Sequence, residues 1–485
     1  MAATISNPPI ARRAWVALAV VCLGQFMVVL DSTIVNVALP DIQASLHFSQ
    51  ADLTWVVNAY LVTFGSFMLV AGRFGDLVGR RRVFLWGVAL FTLASMACGL
   101  SDSQGLLIAA RFVQGIGGAI AFSVTIALIV SEFPGQIARA KAMSVYMFVA
   151  VGGGSVGLLL GGLMTQSLDW HWIFFINAPI GAATLLLGRA YIDENEALGL
   201  SDGVDVAGAV LVTVALMLGV FAIIGSADHG WTSAHTLGWG GAAVALLVAF
   251  VVLEARIANP ILPLGILRVP GLAGATVVRG LVMAGMYSVF FFGALYMENV
   301  RGLGPLTTGV AFLPMTLTVA AMAMGIVARL IGRFGPRTVL LGGMPALIAG
   351  LAAFAVLQAH TSYAAVFAAL VLMGLGAGSS FVPLLTIAMA KVPPRDAGIA
   401  SGILNVAMQV AAAFGLAILG ALTAHRTATQ VADGRSHAAA ELSGYHLAFT
   451  LGAATVAVGL LVTLLMLRTP APHEELAAQA EPQPA

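Results

Sequence analysis

The chain has 485 residues, 60% of them hydrophobic and only 9% charged, and its mean hydropathy is +0.99. A water-soluble protein of this length needs far more charge to cover its surface, so a soluble globular fold is excluded. The formal net charge of +1 says nothing about partners, because the charges are sorted by side of a membrane rather than summed, and no nucleic-acid partner is expected.

Fourteen apolar segments follow one another, near 14–39, 54–74, 83–100, 105–127, 142–165, 171–190, 205–225, 237–256, 273–297, 308–330, 338–357, 363–388, 399–422 and 446–467. They predict an all-α polytopic membrane protein with fourteen transmembrane helices and both termini on one side. With the N-terminus placed in the cytoplasm, 17 of the 22 Lys and Arg residues fall inside. Three lie outside (Arg301, Arg426, Arg435) and two lie within spans (Arg111, Arg279). That bias is what the positive-inside rule requires. All seven Trp fall near span ends, as an interfacial belt should.

The first span follows Arg12-Arg13, a short cytoplasmic segment (1–13), and carries no small-residue cleavage site, so it should remain as a helix. Within it, "FMVVLDSTIVNVALP" sets Asp31 about 8 residues from the outer end, roughly 12 Å deep. An acid at that depth is expensive and faces a bundle interior rather than lipid. Cys22 and Cys98 lie inside spans and read as small buried hydrophobes, not as a disulfide or metal pair. After the second span, "GRFGDLVGRRR" places Arg80, Arg81 and Arg82 where they can anchor the inner face. Asp76, four residues before Arg80, can pair with it or with a helix N-terminus.

In the fourth span, "RFVQGIGGA" puts Arg111 about 6 residues from the outer end, roughly 9 Å deep. Arg111 and Asp31 therefore share the outer half of the membrane and make a candidate proton-coupling pair. A purely structural ion pair is the alternative. Gln114, Gly115 and Gly118 lie on the same helical face as Arg111; Gln114 serves either substrate or a helix–helix hydrogen bond. "GGGSVGLLLGG" in the fifth span satisfies GxSxG and GxGxxG on paper, but both need a strand–turn–helix setting. Gly153, Gly157 and Gly161 at spacing four, with Gly162, instead predict a groove for tight helix packing. Arg279, near the inner end of the ninth span, is expected to snorkel to the interface. Glu298, at the outer end of that span, is either an exposed loop acid or an entrance carboxylate that favours cationic cargo. The nine histidines show no metal spacing, and residues 468–485 read as a polar, disordered cytoplasmic tail.

Two features concern the whole chain. "AGRFGDLVGRR" after the second span is echoed by "VARLIGRFGPR" in the tenth, 256 residues later, with Gly332 in place of Asp76. "RFVQGIGGAIAF" is echoed by "LVLMGLGAGSSF", with Leu370 in place of Arg111. Such spacing predicts two six-helix bundles, 14–190 and 257–467, joined by a linker with two additional helices at 191–256. Only two lysines exist, Lys141 and Lys391, and each follows an alanine, so no GxxxxGK[ST] phosphate loop is present. No cofactor is expected, an ion gradient is the remaining energy source, and Asp31 is its best-placed carrier.

These motifs resemble the major facilitator superfamily, in particular its fourteen-spanner drug:proton antiporters of the EmrB/QacA type. "LDSTIVNVALP", "GRFGDLVGRRR", "RFVQGIGGA", "GGGSVGLLLGG", "WHWIFFINAPIG", "PLTTGVAFLP" and "GIASGILNVAMQ" carry the likeness in order across nearly the whole chain. The resemblance implies the major facilitator fold and, at Asp76 and Arg80, a cytoplasmic latch. It also implies no enzyme activity and a monomeric, multi-pass protein of the cytoplasmic membrane that exchanges protons for amphipathic drugs or antibiotics. An exporter of one metabolite, lipid or siderophore is the alternative, and a non-transporting receptor or scaffold a more remote one. Three positions depart from the family's pattern: Leu158 where proline usually follows the glycine, His171 for arginine, and Glu298 for glutamine.

Overall fold

The computed structural model describes residues 12–133, 136–194, 205–257, 260, 262–393 and 397–467, apart from a few side chains within the helices. The extreme N-terminus and the tail at 468–485 lie outside the described residues. What is described is helical, with no strand. The first half comprises α1 (Arg12–Leu46), α2 (Thr54–Val78), α3 (Arg80–Gly99), α4 (Gln104–Ser123), α5 (Thr125–Glu132), α6 (Gln136–Ser167), α7 (Trp172–Phe175) and α8 (Asn177–Tyr191). Two helices follow, α9 (Val206–His229) and α10 (Ala234–Glu254). The second half comprises α11 (Leu272–Leu295), α12 (Pro305–Ala311), α13 (Leu313–Ala321), α14 (Val327–Phe334), α15 (Pro336–Phe354), α16 (Tyr363–Met389), α17 (Ala397–Ala432) and α18 (His437–Met466).

Eleven described stretches of helix are long and apolar enough to cross a bilayer, and Pro305–Ala321 is a shorter apolar one. With α2 and α6, of 25 and 32 residues, the series is consistent with fourteen crossings. Some crossings are made of pieces. The fourth is α4 and α5, broken at Val124, and the sixth is α7 and α8, broken at Ile176. The tenth runs α12, α13, a π-helical turn at Met322–Ile326, then α14, with prolines Pro305 and Pro314 in the first turns of its first two pieces. Proline suits those positions because the first-turn N–H groups have no intrahelical acceptor.

The duplication seen in the sequence is repeated in the packing. In the first half α1 packs on α6 and α8, α3 on α4 and α8, and α2 on α4. In the second, α11 packs on α17 and α18, α15 on α16 and α18, and α13 on α16, the same graph with each helix replaced by its counterpart. Even the turns agree: α2 ends at Gly79 with φ 114°, and α14 ends at Gly335 with φ 80°. Both backbones are left-handed, which glycine tolerates and other residues resist, so the short link to the next helix depends on glycine.

Between bilayer-exposed faces bearing Trp86, Leu93, Leu186 and Val244, the helices close on small residues, as expected where lipid removes the hydrophobic drive between helices. The halves meet along two seams, α2 with α17 and α6 with α12 and α13. The closest approaches lie toward one face, the face where α2 starts and α6 ends. There a Cβ on Gly420 would lie 2.6 Å from Thr54 Cγ2, and one on Gly162 would lie 2.5 Å from the Pro305 carbonyl oxygen. Gly309 of α12 sits directly on the Leu158 carbonyl of α6. The extra helices α9 and α10 pair with each other, and α9 lies along the α2–α17 seam. It touches both halves, through Phe221 against Trp55 (rings 6.5 Å apart) and through Gly219, whose position faces Phe414 at 2.9 Å.

Candidate functional site

Asp31 stands midway along α1 and is fully buried. A carboxylate there costs several kcal/mol, of order 2.5 or more, unless its charge is matched and its oxygens accept hydrogen bonds. Both conditions are met. Arg111 Nη1, from α4, donates to Asp31 Oδ2 at 2.6 Å. Gln114 Nε2, one turn further along α4, donates to Oδ1 at 2.7 Å, and Asn177 Nδ2 from the first turn of α8 donates to the same oxygen at 3.2 Å. Helical spacing brings Arg111 and Gln114 to one face, and the break at Ile176 starts α8 with Asn177 aimed inward.

The cation is held with equal care. Arg111 Nε donates to the Val56 carbonyl of α2 at 2.9 Å, and Nη1 also donates to Gln114 Oε1 at 2.8 Å. Its guanidinium lies over the Tyr60 ring, 4.5 Å from the centroid. Gly115 makes this approach possible: a Cβ there would meet Thr63 Oγ1 and, at 2.5 Å, the Tyr60 carbonyl. The network reaches α3, where Ser95 Oγ accepts from Asn177 Nδ2 at 2.9 Å and Cys98 Sγ donates to Gln114 Oε1 at 3.5 Å. Five elements of the first half thus converge on one ion pair. From the second half, Tyr287 of α11 lies within electrostatic reach of Arg111 and Tyr60.

The other candidate residues lie apart from this network. Gly153, Gly157 and Gly161 face α1, where Cβ atoms would meet Val29, Thr33 and Ile34; Gly162 instead faces Pro305 and Leu306 of the second half. α6 runs unbroken through Leu158, in keeping with the absence of a proline. Asp76 lies in the last turn of α2, and its side chain is outside the described residues. Arg80 opens α3 and is partly buried, while Arg81 Nε and Arg82 Nε reach Glu194 Oε2 beyond α8 at 3.2 and 3.4 Å. Glu298 is not an exposed loop acid. It sits in a π-helical turn, Tyr296–Val300, that continues α11, partly buried, with Oε1 enclosed and the Thr308 hydroxyl beside the carboxylate. His171, the departure in "WHW", pairs through Nδ1 with Asp169 Oδ1 at 2.5 Å and stacks on Trp170. Arg279 does not snorkel: its side chain runs between α16 and α17, where it meets Phe381 and Asn405.

Asn177, Ser95, Tyr60 and Cys98 escape the sequence reading. Asn177 had a usable signal, since it interrupts the apolar run "WIFFINAPIG" much as Asp31 interrupts its own. Ser95 and Tyr60 had none.

Two pseudo-repeated helical bundles, one of them holding a sealed ion pair, form the architecture of a membrane transporter. Residues 21–416 match the Major Facilitator Superfamily, and the chain belongs to that family. It is 36% identical over 458 residues to the puromycin resistance protein pur8 of Streptomyces alboniger, covering 94% of this chain and 90% of that one. The multidrug resistance protein Stp of Mycobacterium tuberculosis is 37% identical over 404 residues, covering 83% and 74%. The tetracenomycin C resistance and export protein of Streptomyces glaucescens is 36% identical over 417 residues, covering 85% and 77%. Among solved structures, a bacterial homolog of the human lysosomal transporter Spinster superposes with a TM-score of 0.66 at 15% identity, covering 96% of this chain and 100% of that one. The xylose transporter XylE of E. coli does so with a TM-score of 0.64 at 11% identity, covering 94% and 98%. Both show the fold.

Proposed function

We propose that this transporter exports amphipathic drugs or antibiotics across the cytoplasmic membrane in exchange for protons, with Asp31 as the proton carrier and Arg111 as the partner that senses its charge. The observation that carries this is the 2.6 Å ion pair, buried in a network contributed by five elements. Unprotonated, Asp31 holds α1 against α4 and α8. A proton on either oxygen removes the charge that Arg111 matches and turns an acceptor into a donor, so the contact with Arg111 or with Gln114 and Asn177 weakens. Two charge states then favour two arrangements of the helices, which is the requirement for coupling one flux to another. Relatives named for puromycin, tetracenomycin C and multidrug resistance support the drug class. Relatives named for a single compound, cephamycin export and methylenomycin A resistance, favour the narrower alternative of an exporter of one metabolite.

In this scheme the proton gradient is the only energy source, the monomer is the working unit, and both termini lie in the cytoplasm. The halves 14–190 and 257–467 rock about the bound cargo, linked by 191–256. The face where Gly162 meets Pro305 is then external and closed. Glu298 contacts cargo, Gln114 does so once the network that occupies its amide opens, and Asp76 with Arg80 latches the cytoplasmic side while the outer side is open. Asp76→Asn is expected to cut transport severalfold with normal membrane insertion; unchanged turnover reduces that loop to an anchor.

The central test uses vesicles reconstituted with the purified chain and an imposed pH gradient, with puromycin as the probe. Asp31→Asn should abolish uphill export and substrate-induced proton release while still binding puromycin. Asp31→Glu should retain partial activity with a displaced pH profile. Uphill export by Asp31→Asn with an ordinary pH profile places the coupling acid elsewhere.

A further inference from the structure

The two arginines inside spans are treated differently. Arg111 is matched by a carboxylate, an amide and a backbone carbonyl. Arg279 is seven residues into α11, about 10 Å along the axis, and has far less. Its Nη2 donates one long hydrogen bond, 3.3 Å, to Asn405 Oδ1 of α17. Its guanidinium carbon lies 5.9 Å from the centroid of the Phe381 ring of α16. Nε is enclosed and has no acceptor. Among the described residues no carboxylate stands within ion-pair distance of it.

A second group points the same way. Thr276 precedes Arg279 by three residues and so shares its helical face. Its hydroxyl is likewise enclosed without a partner. Threonines on helices ordinarily return their hydroxyl proton to a carbonyl three or four residues back, as Thr63 and Thr184 do here. The corner between α11, α16 and α17 therefore holds a surplus of donors and one unmatched positive charge. A largely enclosed charge with no counter-ion is costly, and an apolar residue of similar volume would be cheaper. The long bond to Asn405 and the Phe381 ring do not recover all of that cost. An oxygen anion would, because a guanidinium offers five donors in a fork that fits carboxylate or phosphate.

We infer that Arg279, Thr276 and Asn405 form a subsite that binds an anionic oxygen group, a carboxylate or phosphate, on the cargo, with Phe381 flanking the adjoining apolar body. The inference rests on the export function proposed above and specifies the chemistry of what is exported. A lipid headgroup of the inner leaflet carries the same kind of oxygen, so the test must separate the two sources.

The full chain in phosphatidylcholine nanodiscs is titrated by equilibrium dialysis with 2-naphthoate and with the isosteric neutral 2-naphthamide, without any pH gradient. The wild type should prefer the acid about tenfold or more, equivalent to about 1.4 kcal/mol. Arg279→Met should bind both alike and melt no lower than the wild type, because removing an unmatched charge relieves the fold. Arg279→Lys should keep part of the preference, as a point charge without the fork. Equal binding of acid and amide by the wild type, or an acid preference that survives Arg279→Met, overturns the subsite. If naphthoate shows no dependence on Arg279 but phosphatidylglycerol retained through purification is lost in Arg279→Met by native mass spectrometry, the site belongs to lipid and the cargo assignment fails. Acid selectivity through Arg279 in a chain that shows no proton-driven export refutes antiport and leaves the subsite standing.

Discussion

At the scale of single residues, the informative comparison is between charges that are matched and charges that are not. Asp31 accepts three hydrogen bonds and faces a cation, whereas Glu298, enclosed in the π-helical turn after α11, has the Thr308 hydroxyl beside it and, among the described residues, no cation within ion-pair distance. If Glu298 contacts cargo, Glu298→Gln should lower export of a cationic probe such as ethidium severalfold while sparing a neutral one. Equal export of both probes before and after removes it from the substrate route. The sequence makes the charged members of the site visible, because an acid or arginine in an apolar run is conspicuous. It does not say what they face. Asp31 meets Arg111 across 80 residues and Asn177 across 146, and no periodicity within one helix encodes such distances. That is also why Arg279 looks like a snorkelling side chain until α16 and α17 are seen beside it.

At the scale of helices, the glycines of α6 divide their labour. Gly157 and Gly161 admit α1 and so belong to the interior of the first half, whereas Gly162, with Gly309 opposite Leu158, admits α12 across the seam. A side chain at the first pair strains a bundle; a side chain at the second strains one conformation. Gly309→Val, which must push the Leu158 carbonyl away, should leave expression and thermal stability within a few degrees of the wild type. It should also shift a spin-label pair across the α6–α12 seam toward longer distances. An unchanged distance distribution shows that the seam does not govern access, and a collapse in expression shows that Gly309 serves folding. The groove at spacing four is legible in the sequence. That the next glycine, Gly162, faces a different helix is not, since adjacent residues on a helix point about 100° apart and only the neighbours decide what each one meets.

At the scale of the whole molecule, the apolar runs, their number and the duplicated motifs are legible because the membrane imposes them: every crossing must satisfy its backbone within a helix and be about 20 residues long. The sequence repeat even locates the matching turns at Gly79 and Gly335. It understates the second half, however, where the loss of the Arg111 and Asp76 counterparts is accompanied by a cation of its own at Arg279. Orientation follows from charge bias and can be measured directly. Cys22 and Cys98 are buried, so an impermeant maleimide has little background to contend with. In intact cells it should label a cysteine introduced at position 439 and fail to label one at position 78. Labelling at 78 inverts the proposed topology.

The two seams between the halves are unequal. Along one, α9 is fastened to α2 through Trp55 and Phe221 and to α17 through Phe414; along the other, α6 and α12 meet directly, and among the described residues neither α9 nor α10 packs against them. A book has one spine. If the halves rotate as proposed, α9 is sheared where it spans both covers while the other edge swings without that drag, which displaces the axis from the molecular centre toward the α2–α17 side. A twelve-helix relative without such a splint has no comparable reason to hinge off-centre.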